Sequence, residues 1–215
     1  MRPVSLGLAA LSLCGSARAV SLDAVLSRLE RAEKEIHSLR FDFAQTTTLA
    51  LGGRAVVSRG TASFERPNRF RLEMSSPEAQ TIVSDGKVLW VYLPARAQVL
   101  RDSMDNWTRS AGFPKGLTPF RMDVSEMKKK YRFVLEEDGP KPVLSLTPIE
   151  GESLEYTLRL WVNMETGLAE KTELSSENVT AMVTVENVRV NPARNPGAFR
   201  FVPPPDANVM ELPLN

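Results

Sequence analysis

The feature that most constrains the fold is a regular succession of short segments in which apolar and polar residues alternate. In the stretch RFRLEM, Phe70, Leu72 and Met74 alternate with charged side chains, which is the pattern of a half-buried strand. Turn residues such as Asp85-Gly86 divide about eleven such segments, so the sequence predicts an antiparallel sandwich or barrel. The predicted strands are 39–49, 54–64, 69–74, 78–84, 88–93, 97–102, 130–136, 142–148, 154–163, 168–175 and 178–190.

One amphipathic helix precedes these strands. Ser21 is its predicted N-cap, and the only histidine, His37, is placed in its last turn, where a cation is favoured. A capping or solvated role is therefore the better interpretation of His37 than a catalytic one. The apolar positions at helical spacing are Leu22, Val25, Leu26, Leu29, Ile36 and Leu39.

Two regions depart from the strand pattern. Residues 103–128 open with several prolines and glycines, after which Val124 and Met127 indicate a short amphipathic helix. The proline-rich tail from Pro192 is predicted to be an extended arm along the body of the protein. No linker separates two domains, so we expect residues 20–215 to form a single domain.

The first nineteen residues have the form of a secretory signal peptide. Arg2 precedes an apolar stretch, and Ala17-Arg18-Ala19 provides a small-x-small cleavage site, so we expect export with cleavage after Ala19. Cys14 raises the alternative of a lipoprotein acylated on that cysteine, although Leu13 does not suit such a signal.

Composition argues against several classes of function. Cleavage after Ala19 leaves 25 basic and 26 acidic side chains, so no basic surplus attracts nucleic acid. With one histidine and no cysteine after residue 19, a zinc site would need mainly carboxylates, which zinc proteins seldom use. The acids Glu136-Glu137-Asp138 lie at a predicted strand end, where solvation in a turn explains them. We therefore predict binding rather than catalysis, and no cofactor.

Five short motifs in order resemble the LolA family of periplasmic lipoprotein carriers. They are FDFAQ (41–45), RPNRF (66–70), IVSDGKVLWVY (82–92), TPF (118–120) and FRFVPPPDANV (199–209). The resemblance spans nearly the whole chain after the signal peptide. It implies an incomplete, unclosed antiparallel barrel of eleven strands around a helical lid, mainly β with an α lid.

The resemblance also assigns roles to particular residues. Arg66 matches the arginine that holds the lid closed by binding backbone carbonyls. Phe64 and Leu72 depart from the family, replacing a tryptophan and a common aromatic, and residues 103–117 align poorly. The residues expected to line an acyl-chain cavity are Phe70, Leu72, Met74, Phe120, Leu29 and Trp90, although Trp90 also suits core packing.

The function implied is that of a periplasmic chaperone, a monomer that carries outer-membrane lipoproteins by burying their acyl chains. Its other partners would be an inner-membrane lipoprotein-releasing transporter and, where one exists, an outer-membrane acceptor. Three alternatives stay open from sequence. They are a membrane-anchored acceptor of the LolB type, an exported hydrolase on a β-scaffold with acids converging in a pocket, and a non-lipid interaction module with a filled core.

Overall fold

The computed structural model describes residues 20–109, 123–149 and 156–211. Within them, twelve strands form one sheet in the order β12-β6-β5-β4-β3-β2-β1-β11-β10-β9-β8-β7. The strands are β1 (Ser38–Leu49), β2 (Val56–Glu65), β3 (Arg69–Ser76), β4 (Gln80–Asp85), β5 (Val88–Leu93), β6 (Gln98–Ser103), β7 (Tyr131–Glu137), β8 (Val143–Pro148), β9 (Tyr156–Asn163), β10 (Leu168–Ser176), β11 (Val179–Val190) and β12 (Asn208–Glu211).

The first eleven strands pair antiparallel with their neighbours, which confirms the predicted mainly β, unclosed architecture. The twelfth comes from the tail: β12 pairs in parallel with β6, so the arm predicted after Pro192 ends as an added edge strand. The predicted turn at Asp85-Gly86 joins β4 to β5, with Gly86 at a φ of 101° that a glycine adopts readily.

In the part of the chain that the structure describes, three α-helices accompany the sheet: α1 (Leu22–Glu35), α2 (Met104–Arg109) and α3 (Val124–Lys130). Ser21 caps α1 as predicted, because its hydroxyl accepts a hydrogen bond from the amide of Ala24 at 3.2 Å. The predicted position of His37 in the last turn of this helix is wrong. The helix ends at Glu35 and Ile36 is its cap, so His37 lies in the connection to β1, exposed, where its amide donates to the Asn191 side chain.

Helix α1 packs against both halves of the sheet. Its first half contributes Val25, Leu26 and Leu29 to a buried cluster with β8, β9 and β10. Ala32 in its second half and the cap residue Ile36 belong to another cluster, with β1 to β5. The nine strands from β5 to β8 would span about 38 Å if flat, because neighbouring strands lie about 4.8 Å apart. A helix of 14 residues is only about 21 Å long. The sheet must therefore curl around α1.

Gly60 marks a place where two strands approach too closely for a side chain. It lies in β2 at an irregularity in the pairing with β3, and a Cβ added there would fall 2.1 Å from the carbonyl oxygen of Glu73. Because that atom belongs to the backbone, the strands would have to separate to accommodate it. Gly139, in the turn after β7, has no atom within 4 Å of an added Cβ.

We expect Gly60→Ala to lower the free energy of unfolding by about 1–3 kcal/mol, as overpacking of a close contact does. The control Gly139→Ala should change it by no more than about 0.5 kcal/mol, since nothing meets the new methyl group. Denaturant unfolding of both variants measures the difference. Equal stabilities would contradict the close approach of β2 and β3.

Candidate functional site

The inner face of strands β1 to β5 is apolar and rich in aromatic side chains. Phe41, Phe64 and Phe70 form a row on it, with ring centroids 5.8 Å apart for the first pair and 6.1 Å for the second. Across the strands, Phe70 is in register with Phe64 and Leu72 with Ala62. The second half of α1 covers this row, so the aromatic rings are buried between helix and sheet.

The same face continues past the helix as side chains that are only partly buried. Phe43 on β1 and Leu72 and Met74 on β3 all pack against the aromatic cluster and keep some exposure. Leu93 of β5 and Leu100 of β6 do the same at the neighbouring strands. The result is an apolar surface that begins beneath α1 and remains open to further apolar contact.

The predicted cavity residues do not all meet on this surface. Phe70, Leu72 and Met74 do, whereas Leu29 lies in the other cluster, against the leucines of β8 and β9. Phe120 lies outside the described residues.

The structure corrects the expectation for Trp90. Its neighbours in β5, Leu89 and Val91, point to the inner face, so Trp90 points to the outer one. There the Trp90 ring lies 5.7 Å from the ring of Phe201, in the segment before β12. The Arg101 guanidinium lies 5.5 Å from the centre of the Trp90 ring. Trp90 therefore packs beneath the C-terminal arm.

Arg66 joins the sheet to α1. It lies in the turn between β2 and β3, where its Nε donates to the carbonyl oxygen of Ile36 at 2.9 Å and its Nη2 to that of Glu33 at 2.5 Å. These carbonyls belong to the last turn and cap of α1, which lack partners within the helix. The planar guanidinium, with five donors, is suited to collecting both of them.

Asn191 holds the same end of α1 and was not singled out from the sequence. Its side-chain oxygen accepts from the amides of His37 and Ser38 at 2.8 and 3.1 Å, and its amide nitrogen donates to the carbonyl of Glu35 at 3.0 Å. Its positive φ of 48° follows the end of β11, and Asn is among the residues that tolerate this conformation. The preference of Asn for this backbone conformation is the only feature of the sequence that could have pointed to Asn191.

Helix α3 packs against α1. Its first residue, Val124, is buried with Val25 and Leu29, and the Val124 amide donates to the carboxylate of Glu33 at 3.2 Å. Lys128 pairs with Glu30, and this hydrogen bond lowers the pKa of the Glu30 carboxyl. The stabilisation is present at neutral pH and is lost as the pH falls through that lowered pKa.

Two further observations bear on the kind of site. Among residues 20–109, 123–149 and 156–211, no three His, Cys, Asp or Glu side chains gather as metal ligands would. Within the same ranges, no helix combines the length and apolar character needed to cross a bilayer.

Comparison with known proteins identifies the family to which this sequence is similar. The family model for the outer membrane lipoprotein carrier protein LolA matches residues 34–202. The outer-membrane lipoprotein carrier protein of Proteus mirabilis is 28% identical over 211 residues, covering 97% of this chain and 98% of its own. That of Alkalilimnicola ehrlichii is 32% identical over 187 residues, covering 85% and 82%.

Among solved structures, an uncharacterized conserved protein from Thermus thermophilus has a similar fold. Its TM-score is 0.54 at 14% identity, with 88% of this chain and 98% of that one covered. At that identity the likeness concerns the fold alone. The family match, in contrast, covers most of the sequence, and the chain belongs to the LolA family of outer membrane lipoprotein carriers.

Proposed function

We propose that this protein is a periplasmic, non-enzymatic carrier of outer-membrane lipoproteins that binds their acyl chains on the inner face of β1 to β5. The observation that carries the proposal is an apolar surface next to the buried aromatic row. It is formed by Phe43, Leu72 and Met74, whose side chains are partly exposed. Flexible, polarizable methionine suits a site that accepts chains of varied shape. The family match supports the identity of the cargo.

Release of the cargo requires an energy term that opposes the favourable burial of its acyl chains. Each buried methylene contributes about 0.8 kcal/mol, so one sixteen-carbon chain could contribute on the order of 10 kcal/mol. Several chains buried that well would not leave at the acceptor. Contacts that close α1 onto the empty site oppose cargo binding, because loading must break them.

Arg66 is the residue to which we assign this closure. Its bonds to Glu33 and Ile36 hold the end of α1 against the β2–β3 turn, beside the start of the aromatic row. Opening the site on this side would break both bonds. The exposed guanidinium would then regain water, so the closed state is favoured only modestly and remains reversible.

The proposal includes export and partners. Residues 1–19 would be removed as a signal peptide, which leaves Val20 as the first residue, directly before the N-cap Ser21. An inner-membrane transporter would load the protein, and an acceptor or the outer membrane itself would receive the cargo. Mass spectrometry of the exported protein distinguishes a free Val20 from an acylated Cys14, the product expected of an anchored acceptor.

Leu72→Asp should reduce binding of a synthetic triacylated lipopeptide at least about tenfold, because the acyl chain would have to desolvate a carboxylate. Ser75→Asp is the control: it adds the same charge to β3 at an exposed position and loses only the hydrogen bond that the Ser75 hydroxyl donates to the Arg59 carbonyl at 3.2 Å. Circular dichroism establishes that both variants fold, and titration with the lipopeptide measures affinity. Equal affinities would contradict an acyl site on this face, and failure of the unmodified protein to bind would overturn the proposed function.

Arg66→Leu should leave the fold intact and make the lipoprotein-loaded form accumulate several-fold. Loss of the closing contacts removes about 1 kcal/mol that opposes cargo retention. Arg71→Leu is the control, because Arg71 pairs with Glu73 on the same strand and does not touch α1. Transfer of bound lipoprotein to acceptor membranes measures the effect. Release from Arg66→Leu as fast as from the control would show that Arg66 does not govern closure.

A further inference from the structure

A second arginine ties α1 to the sheet at a different place. Arg28, in the first half of α1, donates from Nε to the carbonyl of Met164 at 3.0 Å and from Nη2 to the carbonyl of Glu165. Both carbonyls lie in the turn between β9 and β10. No sequence motif marks Arg28, whose hydrogen-bond partners are 136 and 137 residues away in the chain.

The β9–β10 turn also touches the helix directly. Gly167 has a φ of 68°, and a Cβ added there would lie 2.6 Å from the Cβ of Ala32 and 2.8 Å from the carbonyl oxygen of Arg28. No side chain fits between turn and helix at this point. The two backbones are therefore in direct contact beside the Arg28 hydrogen bonds.

The two arginines hold α1 toward opposite parts of the sheet. Arg66 extends from the β2–β3 turn to carbonyls of the helix, whereas Arg28 extends from the helix to carbonyls of the β9–β10 turn. In the strand order, β1 and β11 lie between these two places. Breaking one set of bonds therefore does not require breaking the other.

The strand side chains that pack against the two halves of α1 also differ in how completely they are buried. On the β8–β10 side, Val25 and Leu29 meet leucines of β8 and β9 that are fully buried, and the partly exposed side chains of this cluster include Phe133 and Leu135 on the edge strand β7. On the β1–β5 side, Leu72 and Met74 remain partly exposed. The leucines in question are Leu144, Leu146, Leu158 and Leu160.

We infer that α1 opens on one side only, with Arg28 and the Gly167 contact as its fixed side. Acyl chains enter between the helix and β1–β5 as the Arg66 bonds break, while the Arg28 bonds and the β8–β10 packing persist. Arg28 is a positioning residue: it touches no acyl chain but keeps the helix available to close again. This inference rests on the proposed function.

Distance measurements between spin labels test this directly. Residues 20–215 contain no cysteine, so introduced cysteines are the only labelling sites there. One pair joins Arg31 of α1 to Glu165 of the β9–β10 turn, and a second joins Arg31 to Asn68 of the β2–β3 turn. All three side chains are exposed, and neither pair removes a clamping arginine. Each pair is measured with and without a synthetic triacylated lipopeptide, after titration has established binding.

On loading, the 31–68 distance should lengthen while the 31–165 distance stays unchanged. In an Arg28→Leu background, the 31–165 distance should also lengthen on loading, which a merely stabilising role for Arg28 would not produce. Equal lengthening of both distances in the parent protein would overturn the inference, as would no change in either with lipopeptide bound. If the parent protein binds no lipopeptide, the proposed function fails first and this inference with it.

Discussion

The structure depends on the burial of one short helix by an unclosed sheet. Helix α1 presents apolar side chains along its whole length, and those of its two halves are buried by different sets of strands. Only a curled sheet can do this, since the strands involved would otherwise spread well beyond the length of the helix. The curl creates a concave apolar face, and the helix leaves part of that face incompletely covered.

Incomplete covering is what a reversible carrier needs. In the half of the interior next to β8 and β9, the leucines that pack against α1 are fully buried. The half next to β1 to β5 keeps partly exposed Phe43, Leu72 and Met74, so it can gain burial from a ligand. In the proposed function, closure on this side rests on the hydrogen bonds of the exposed Arg66, which are easily exchanged for bonds to water. Under this proposal, strong apolar binding and weak polar closure together would allow loading and release.

Much of the fold could be predicted because alternation along a strand reports directly which side faces the core. That rule fails where both sides are covered. The strand VLWVYL is apolar throughout, because the helix side buries Leu89 and Val91 while the C-terminal arm brings Phe201 over Trp90. The sequence therefore did not indicate on which face of the sheet Trp90 lies.

The contacts between the arginines and the backbone carbonyls were harder still to predict from the residues alone. An arginine in a turn looks like any solvated cation, and the partners of Arg66 and Arg28 are backbone carbonyls that every residue offers. The family resemblance singled out Arg66 and was silent on Arg28. Only the three-dimensional arrangement shows that the two arginines hold opposite sides of the same helix.

The most direct test of the account compares two adjacent residues of β3 that lie on opposite faces. A photoreactive benzoylphenylalanine placed at Met74 should cross-link to the acyl chains of a bound lipoprotein, because Met74 packs on the inner apolar surface. The same group at Glu73, exposed on the outer side, should not. Cross-linking at Met74 alone, located on the lipid by mass spectrometry, is the predicted result. Cross-linking to the acyl chains at Glu73, or at neither position while cargo is bound, would contradict an acyl-chain site inside the curled sheet.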